Sequence, residues 1–386
     1  MKLSVAIPCL NEARTIEKAV GLARDLVAAA AGGDGEVVVG DNGSTDGSRE
    51  LAEKAGARVA PADRRGYGFA LLAAIQASKG DVVVMGDADA TYDFREAAPL
   101  VEAVASGSCD LAMGSRLRGR IEKGAMPFLH RWLGTPVLSW LIRRFFGLRI
   151  TDCNCGMRAF SRDAFERMHL VCGGMEFASE MLVKASLAGL RVAEFPVSLH
   201  RDLRTDRVPH LHTWRDGWRH LRFLLLFAPH VVFRLPGAVL CAVFGPVTLA
   251  LCLGPVVVAG RLFDYHHLFY AVPLFCIGQQ LLWFNAFATR FRRFAGLGGE
   301  PPARLPLERW LLAGFLAGLV GLAVFAGVLR DWWASGMGAL FAVRRCSLAL
   351  VLLLTGALSV MNALMTSMLE LHFVSLHDPV SKPDSP

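Results

Sequence analysis

Val82-Val83-Val84-Met85-Gly86-Asp87-Ala88-Asp89-Ala90-Thr91-Tyr92-Asp93 is a β-branched run that closes on three carboxylates. Preceded by Lys79-Gly80-Asp81, it reads as a strand buried on both faces, as in a parallel sheet covered by helices. Ligands of open α/β sheets gather at the carboxyl ends of the strands, which is where this one delivers its acids. Residues two apart in an extended segment point to the same side, so Asp87 and Asp89 can converge on one hard cation. Mg2+ or Mn2+ held by one or two carboxylates takes its other ligands from water and phosphate oxygens, as a nucleotide-activated substrate would provide. A lone D-x-D is more often an acidic turn, so the surrounding chain has to decide.

Upstream, Leu3–Leu10 is a strand that ends at Pro8 and Asn11-Glu12, and Thr15 is placed to cap the next helix, which Gly32-Gly33 break. Val37-Val38-Val39 is a second buried strand, followed by the loop Gly40-Asp41-Asn42-Gly43-Ser44-Thr45-Asp46-Gly47. A short strand at 58–60 follows, and Arg64-Arg65-Gly66-Tyr67-Gly68 opens the helix that leads to 82–85. This β-α-β-α alternation predicts a Rossmann-like, mostly parallel sheet with right-handed crossovers. No G-x-G-x-x-G follows the first strand and no G-K-[ST] occurs, which argues against hydride transfer and P-loop chemistry. The carboxylate of Asp41 can accept a hydrogen bond from the ring N–H of uracil or guanine. The same loop is also an ordinary Asp/Asn/Gly turn.

The chain has 386 residues, 53% of them hydrophobic, and a formal charge of +7. Its mean hydropathy of +0.40 is too apolar for one soluble globule, and the excess lies after about residue 223. Basic residues beside apolar helices favour anionic headgroups and phosphates over nucleic acid. Met1-Lys2 runs straight into a strand with no secretory leader, which predicts a cytoplasmic first domain. Cys153 and Cys155 form a C-x-C without a second pair at zinc spacing, so reduced, unligated thiols are expected.

Three stretches carry a family resemblance: Ile7-Pro8-Cys9-Leu10-Asn11-Glu12, Val39 to Asp46, and Gly86-Asp87-Ala88-Asp89. They resemble family 2 glycosyltransferases of the GT-A fold, above all the polyprenyl-phosphate enzymes: dolichyl-phosphate mannose and glucose synthases and their bacterial undecaprenyl-phosphate relatives. Gly114-Ser115-Arg116, Asp152 to Phe160, Gly174 to Glu180 and Trp214 to Phe223 extend the match, in order, over roughly residues 1–230. The resemblance implies an inverting transfer of a hexose from a UDP- or GDP-sugar to a polyprenyl phosphate. It implies a nucleotide-sugar pocket of Pro8, Asn11, Glu12, Asp41, Gly66, Asp87, Ala88 and Asp89, with Mg2+ or Mn2+ on Asp87 and Asp89. The family often has Gln at the third metal-side position; here that residue is Thr91, which leaves Asp93 as a substitute ligand. Glu180, four residues from Glu176 and so on the same helix face, lies where the family borders its active site and is a candidate acid.

A lipid phosphate is already anionic near neutral pH, its second pKa being about 6. It needs guanidinium groups that hold it in line rather than a general base. Arg116 at a strand end, Arg131 in a membrane-side helix and Arg201 after the last strand are the candidates. Each has a plainer reading as a solvated or lipid-facing charge.

Between 126 and 146, Phe128, Leu129, Trp132, Leu133, Trp140 and Phe145 alternate with Arg131, Arg143 and Arg144. Gly134 and Pro136 divide this stretch into two helices too short to span, expected to lie in the bilayer interface. At 213–230, Trp214, Trp218, Leu221 and Leu225 make a second amphipathic stripe beside Arg215, Arg219 and Arg222. Four spans follow at roughly 233–259, 268–288, 310–329 and 346–369, within a membrane domain of 231–370. The arginines of 290–309 then fall inside with the catalytic domain (1–212), as the positive-inside rule requires. Arg330, Arg344 and Arg345 would lie outside, which fits that rule less well. The tail 371–386 reads as disordered.

Two rivals remain. A processive polysaccharide synthase would carry Q-x-x-R-W, and Gln279-Gln280-Leu281-Leu282-Trp283 lacks the arginine and falls inside a span. A non-catalytic membrane scaffold would not need Asp41, Asp87, Asp89 and Arg116 together. Oligomeric state is open, a homo-oligomer included.

Overall fold

The computed structural model describes residues 1–202, 213–294 and 306–377. It divides into two compact units, Met1–Phe227 and the chain from Ala228 onward.

In the first unit, β1 (Leu3–Cys9), β2 (Gly35–Asp41), β3 (Arg58–Pro61), β4 (Val82–Met85), β5 (Leu111–Ser115), β6 (Arg158–Ser161) and β7 (Val192–Pro196) form one sheet. Their order is β3-β2-β1-β4-β6-β5-β7. Within it β6 runs antiparallel to β4 and β5, and the other pairs are parallel. This is the Rossmann-like, mostly parallel sheet that the β-α-β-α alternation predicts, and the GT-A arrangement that the family resemblance implies. Alternate residues of each strand feed opposite layers. Val82 and Val84 pack with Val5, Ile7 and helix α1 (Ile16–Ala31), whereas Val83 and Met85 pack with Ala6, Val38 and helix α3 (Tyr67–Ala77). Burial on both faces is why β4 is apolar without alternation.

Pro8 is tolerated in this central strand for a local reason. Cys9 faces β2, since its carbonyl accepts from Asn42 N–H. Pro8 therefore faces β4, which pairs with β1 only up to Ala6–Met85, so the missing N–H breaks no ladder bond. Thr15 does precede α1, and Gly32 ends it in the left-handed region. The Thr15 hydroxyl, however, donates to the carbonyl and carboxylate of Glu12 rather than capping the helix.

The segment expected as two separated helices is continuous. A π-helical turn, His130–Gly134, leads directly into α5 (Thr135–Phe146). Pro136 cannot donate and crowds the carbonyl four residues back; the wide turn, closed by Thr135 N–H on His130 C=O, absorbs it without a break. Leu138, Ser139 and Ile142 are buried, while Phe128, Trp132, Leu133 and Trp140 are more than half exposed. Helix α8 (Thr213–Phe227) belongs to the same unit. It docks through buried Leu224 and through His220, whose Nδ1 is 2.7 Å from Ser179 Oγ on α7 (Phe177–Leu187).

Among its described residues the second unit contains four helices long and apolar enough to cross a membrane: His230–Leu253, Tyr265–Arg292, Leu307–Ala334 and Val343–Leu369. The first ends earlier than expected. Gly254-Pro255 stops it, and Val256–Val258 and Arg261–Phe263 form a small hairpin across Ala259-Gly260, both at positive φ, the geometry of a tight primed turn. The last helix continues to His377, so residues 371–377 of the expected tail are helical, and 378–386 lie outside the described residues. Gly314 and Gly356 let the third and fourth spans approach closely, since a Cβ on either would meet the other's carbonyl within 2.9 Å; such small-residue contacts are the usual glue of spanning helices. The arginines that fit the charge rule poorly are compensated. Arg344 pairs with Asp264, and Arg330 and Arg345 both pair with Asp331. The Arg344–Asp264 contact also puts the 261–267 and 330–345 loops at the same end of the bundle, as an even number of crossings requires.

Candidate active site

Strand β4 hands over to Gly86, where a Cβ would stand 2.6 Å from the Phe94 ring. Asp87 follows at the rim of the sheet. Its Oδ1 accepts a 2.8 Å hydrogen bond from the Tyr67 hydroxyl, and its Oδ2 abuts Gly156, where a Cβ would lie 2.6 Å away. Ala88 is buried behind it. Asp89 accepts at Oδ1 from both the N–H (3.0 Å) and the hydroxyl (2.7 Å) of Thr91. Ala90 between them has φ +56°, a left-handed conformation that costs a non-glycine residue roughly 1–2 kcal/mol and turns the chain sharply beside the two acids. Thr91 thus orients Asp89. Asp93 is engaged elsewhere: it caps the 3-10 turn Phe94–Ala97 and forms a two-pronged pair with Arg95, which holds its carboxyl below the usual range. Among the described residues no three His, Cys, Asp or Glu side chains group into a protein-only metal cage.

Asp41 ends β2 opposite Cys9 of β1, and β1 alone separates it from β4. Asp41 and Asp87 therefore occupy the same end of the sheet, two strand spacings or roughly 10 Å apart. The Asp41 carboxylate is buried and accepts from Gly43 and Ser44 N–H, so it shapes its own loop, with lone-pair capacity to spare. Asn11, at φ +55°, accepts from Thr45 N–H and donates its own N–H to Ser44 Oγ. Glu12 is buried and its N–H donates to Ser48 Oγ. Gly66 donates to Asn42 Oδ1; at φ +152° and with Gly173 carbonyl 2.2 Å from where its Cβ would be, it accepts no side chain. All eight expected nucleotide-side positions thus lie along the ends of β1, β2 and β4 and the start of α3.

The three arginines separate. Arg116, just past β5, donates from Nε and Nη2 to the two oxygens of fully buried Asp152 at 2.7 and 2.8 Å. Burial opposes its charge, yet Tyr92 and Asp152 hold its pKa well above the ordinary value. Tyr92 links it to the acids. Burial raises the Tyr92 phenol well above its usual range against the pull of Arg116, with Asp87 and Asp152 adding to the rise, and its hydroxyl accepts from Gly156 N–H at 3.2 Å. Arg131 is exposed and lies over the Trp132 ring at 5.4 Å. Arg201 donates to Glu122 and to the Lys123 carbonyl, and lines a cavity of about 360 Å³ with Lys18, Tyr92, Asp93, Arg95 and His200.

Glu180 has the environment of a structural group. It is fully buried, pairs with Lys184 at 2.7 Å, and accepts from Val171 and Cys172 N–H, while Lys184 also donates to the His169 carbonyl. Glu180→Ala should cost about 3–5 kcal/mol of stability by stranding a buried lysine; thermal unfolding of the purified protein measures it. Sequence reasoning missed Tyr67, Tyr92, Asn42 and Gly156. Asp152 and Gly156 stood inside a quoted motif, but nothing local joins Tyr67 to Asp87.

The family model of glycosyl transferase family 2 matches residues 4–168. The low-salt glycan biosynthesis hexosyltransferase Agl6 of Haloferax volcanii is 40% identical over 348 residues, 88% of this chain and 82% of that one. The chain belongs to glycosyltransferase family 2. Its membrane half agrees, because the C-terminal transmembrane region of family 2 glycosyltransferases matches residues 300–370. With this match and four long apolar helices among its described residues, this glycosyltransferase is an integral membrane protein. The dolichyl-phosphate hexose transferase of the same organism is 32% identical over 197 residues, 50% of this chain and 81% of that one. Among solved structures, glucosyl-3-phosphoglycerate synthase from Mycobacterium tuberculosis, with Mn2+, UDP-glucose and phosphoglyceric acid, is similar at 24% identity and a TM-score of 0.48. The similarity covers 59% of this chain and 79% of that one.

Proposed function

We propose that this glycosyltransferase moves a hexose from a UDP- or GDP-sugar onto a polyprenyl phosphate at the cytoplasmic face of its membrane, inverting the anomeric centre. The observation that carries it is the placement of Asp41, Asp87 and Asp89 at the same end of the sheet, at the carboxyl ends of β2 and β4, where ligands of such sheets bind. The likeness to a dolichyl-phosphate hexose transferase supports the choice of acceptor. Asp87 and Asp89 fit a Mg2+ or Mn2+ site of the kind completed by substrate: both are hard oxygen donors, both are oriented by hydroxyl donors, and among the described residues no third His, Cys, Asp or Glu is grouped with them, as expected where diphosphate and water fill the remaining positions. Bound there, the ion would stabilise the departing diphosphate as a Lewis acid.

The protein's share is positioning. Asp41, Asn11, Glu12 and Gly66 frame the nucleoside, and Arg116, aided by Arg131 and Arg201, holds the lipid phosphate in line for attack without a general base. The exposed apolar face of 128–140 and the amphipathic α8 would rest at headgroup level. A processive synthase is disfavoured by an observation in the membrane unit. The Gln279–Trp283 stretch is used as helix glue: Gln280 and Asn362 exchange hydrogen bonds at 2.9 and 3.2 Å, and Thr355 donates to Gln279.

The test is transfer from labelled UDP-glucose, UDP-GlcNAc, UDP-galactose and GDP-mannose to a short-chain polyprenyl phosphate. One donor should give a single-sugar lipid product, lost with EDTA and restored by Mn2+ or Mg2+. Transfer indifferent to EDTA would remove the metal, a lengthening glycan would favour the synthase, and no transfer by folded protein would favour the scaffold.

A further inference from the structure

Tyr67 opens α3, and its hydroxyl donates to Asp87 Oδ1 at 2.8 Å across twenty residues of sequence. The opposite carboxylate oxygen lies 2.6 Å from where a Cβ on Gly156 would stand, which leaves no room for a side chain there. Gly156 is itself fastened, because its N–H donates to the Tyr92 hydroxyl at 3.2 Å. The Asp87 carboxylate is thus gripped on one side by a phenol and on the other by backbone.

The Tyr67 end of the grip is braced. Gly66 and Gly68 lie so close to the 172–173 loop that a Cβ on either would stand 2.1–2.2 Å from a carbonyl oxygen there, and Gly68 N–H donates to the Gly173 carbonyl. That loop is stapled by Glu180, which accepts from Val171 and Cys172 N–H and is neutralised by Lys184. Glu180 therefore acts on the site through the loop, Gly66-Gly68 and Tyr67.

We propose that Tyr67 is a positioning residue that fixes the Asp87 carboxylate in the orientation needed to receive a divalent cation with its nucleoside diphosphate. The inference rests on the metal reading above. A free carboxylate would rotate about its side-chain torsions and lose that freedom on binding; one already held by a neutral donor does not, and keeps lone pairs on both oxygens for the ligand. Removing such an outer hydrogen bond to a ligating carboxylate typically weakens metal affinity about 10–100-fold.

The experiment is Mn2+ titration of the full-length detergent-solubilised protein, followed by electron paramagnetic resonance, with saturating UDP and in parallel with GDP. Wild type, Tyr67→Phe and Asp87→Asn are compared, with thermal unfolding measured alongside. Tyr67→Phe should raise the Mn2+ Kd by about 10–100-fold and raise the Mn2+ needed for half-maximal transfer, while KM for the lipid acceptor stays near wild type. A general loosening of the fold would not produce that split. If Asp87→Asn weakens Mn2+ and folded Tyr67→Phe does not, the positioning role is overturned and the metal reading stands. If Asp87→Asn leaves the Kd unchanged, the metal reading fails, and this inference with it. Should Tyr67→Phe not fold, Gly156→Ala probes the same grip from the other side, and an unchanged Mn2+ Kd in that folded variant overturns the role equally.

Discussion

Asp89→Ala is expected to reduce sugar transfer by about three orders of magnitude or more while the protein stays folded in the membrane. Cation stabilisation of a departing diphosphate contributes several kcal/mol to the transition state, and each 1.36 kcal/mol is about a factor of ten in rate. Asp89 sits at the rim, half-buried, and accepts orienting bonds from the Thr91 N–H and hydroxyl. Its loss should therefore not disturb the core, and thermal unfolding should be close to wild type. Steady-state transfer assays on membranes with matched protein levels read the rate. A variant with more than a tenth of wild-type activity would remove Asp89 from the cation site. Thr91→Val gives the graded companion, keeping the backbone N–H bond and deleting only the hydroxyl.

The second large effect is on stability. Asp152→Ala should lower it by about 3–5 kcal/mol, because the Arg116 guanidinium would be left buried without its partner. For a unit of this size that is a fall of roughly 6–20 °C in Tm, at about 2–4 °C per kcal/mol. Arg116→Ala strands the carboxylate instead and should show a similar fall, together with a raised KM for the polyprenyl phosphate. Arg116→Lys keeps the charge but cannot form the two-pronged contact, so it should recover part of the stability and little of the acceptor affinity. Tryptophan fluorescence on heating and acceptor titrations separate the two effects. An unchanged Tm in Asp152→Ala would mean that the pair contributes nothing to the fold, and an unchanged acceptor KM in Arg116→Ala would remove its part in lipid-phosphate binding.

These expectations differ from what Arg116 suggests as a residue in a string. In sequence it is a basic group at a strand end. In the structure two of its donor nitrogens are already used on Asp152, so its substitution tests the architecture as well as the acceptor. Glu180 shows the same distinction more sharply. Its spacing from Glu176 indicates a shared helix face, but only the fold shows that this face is turned inward onto Lys184 and the 171–172 backbone. Asp93 likewise has the right distance from Asp89 along the chain to serve as a ligand, and the short 3-10 turn that follows commits it to Arg95. The helix through 126–146 was legible in its apolar and basic pattern; the π turn that carries it through Pro136 was not, since nothing in composition distinguishes a broken helix from a widened one.

The β-α-β-α alternation, the burial of β4, the position of the acids at its carboxyl end and the four long apolar runs are written in the sequence. Each follows from local periodicity and from the length of apolar runs, which act over a few residues and survive without knowledge of the rest. The antiparallel insertion of β6, the Tyr67–Asp87–Gly156 grip, the Arg116–Asp152 pair and the compensation of the outer-loop arginines were decided only by tertiary structure. Apart from the adjacent Arg330 and Asp331, each joins groups 14 to 80 residues apart, and such contacts depend on where the chain returns, a property of packing between elements that no window of sequence contains.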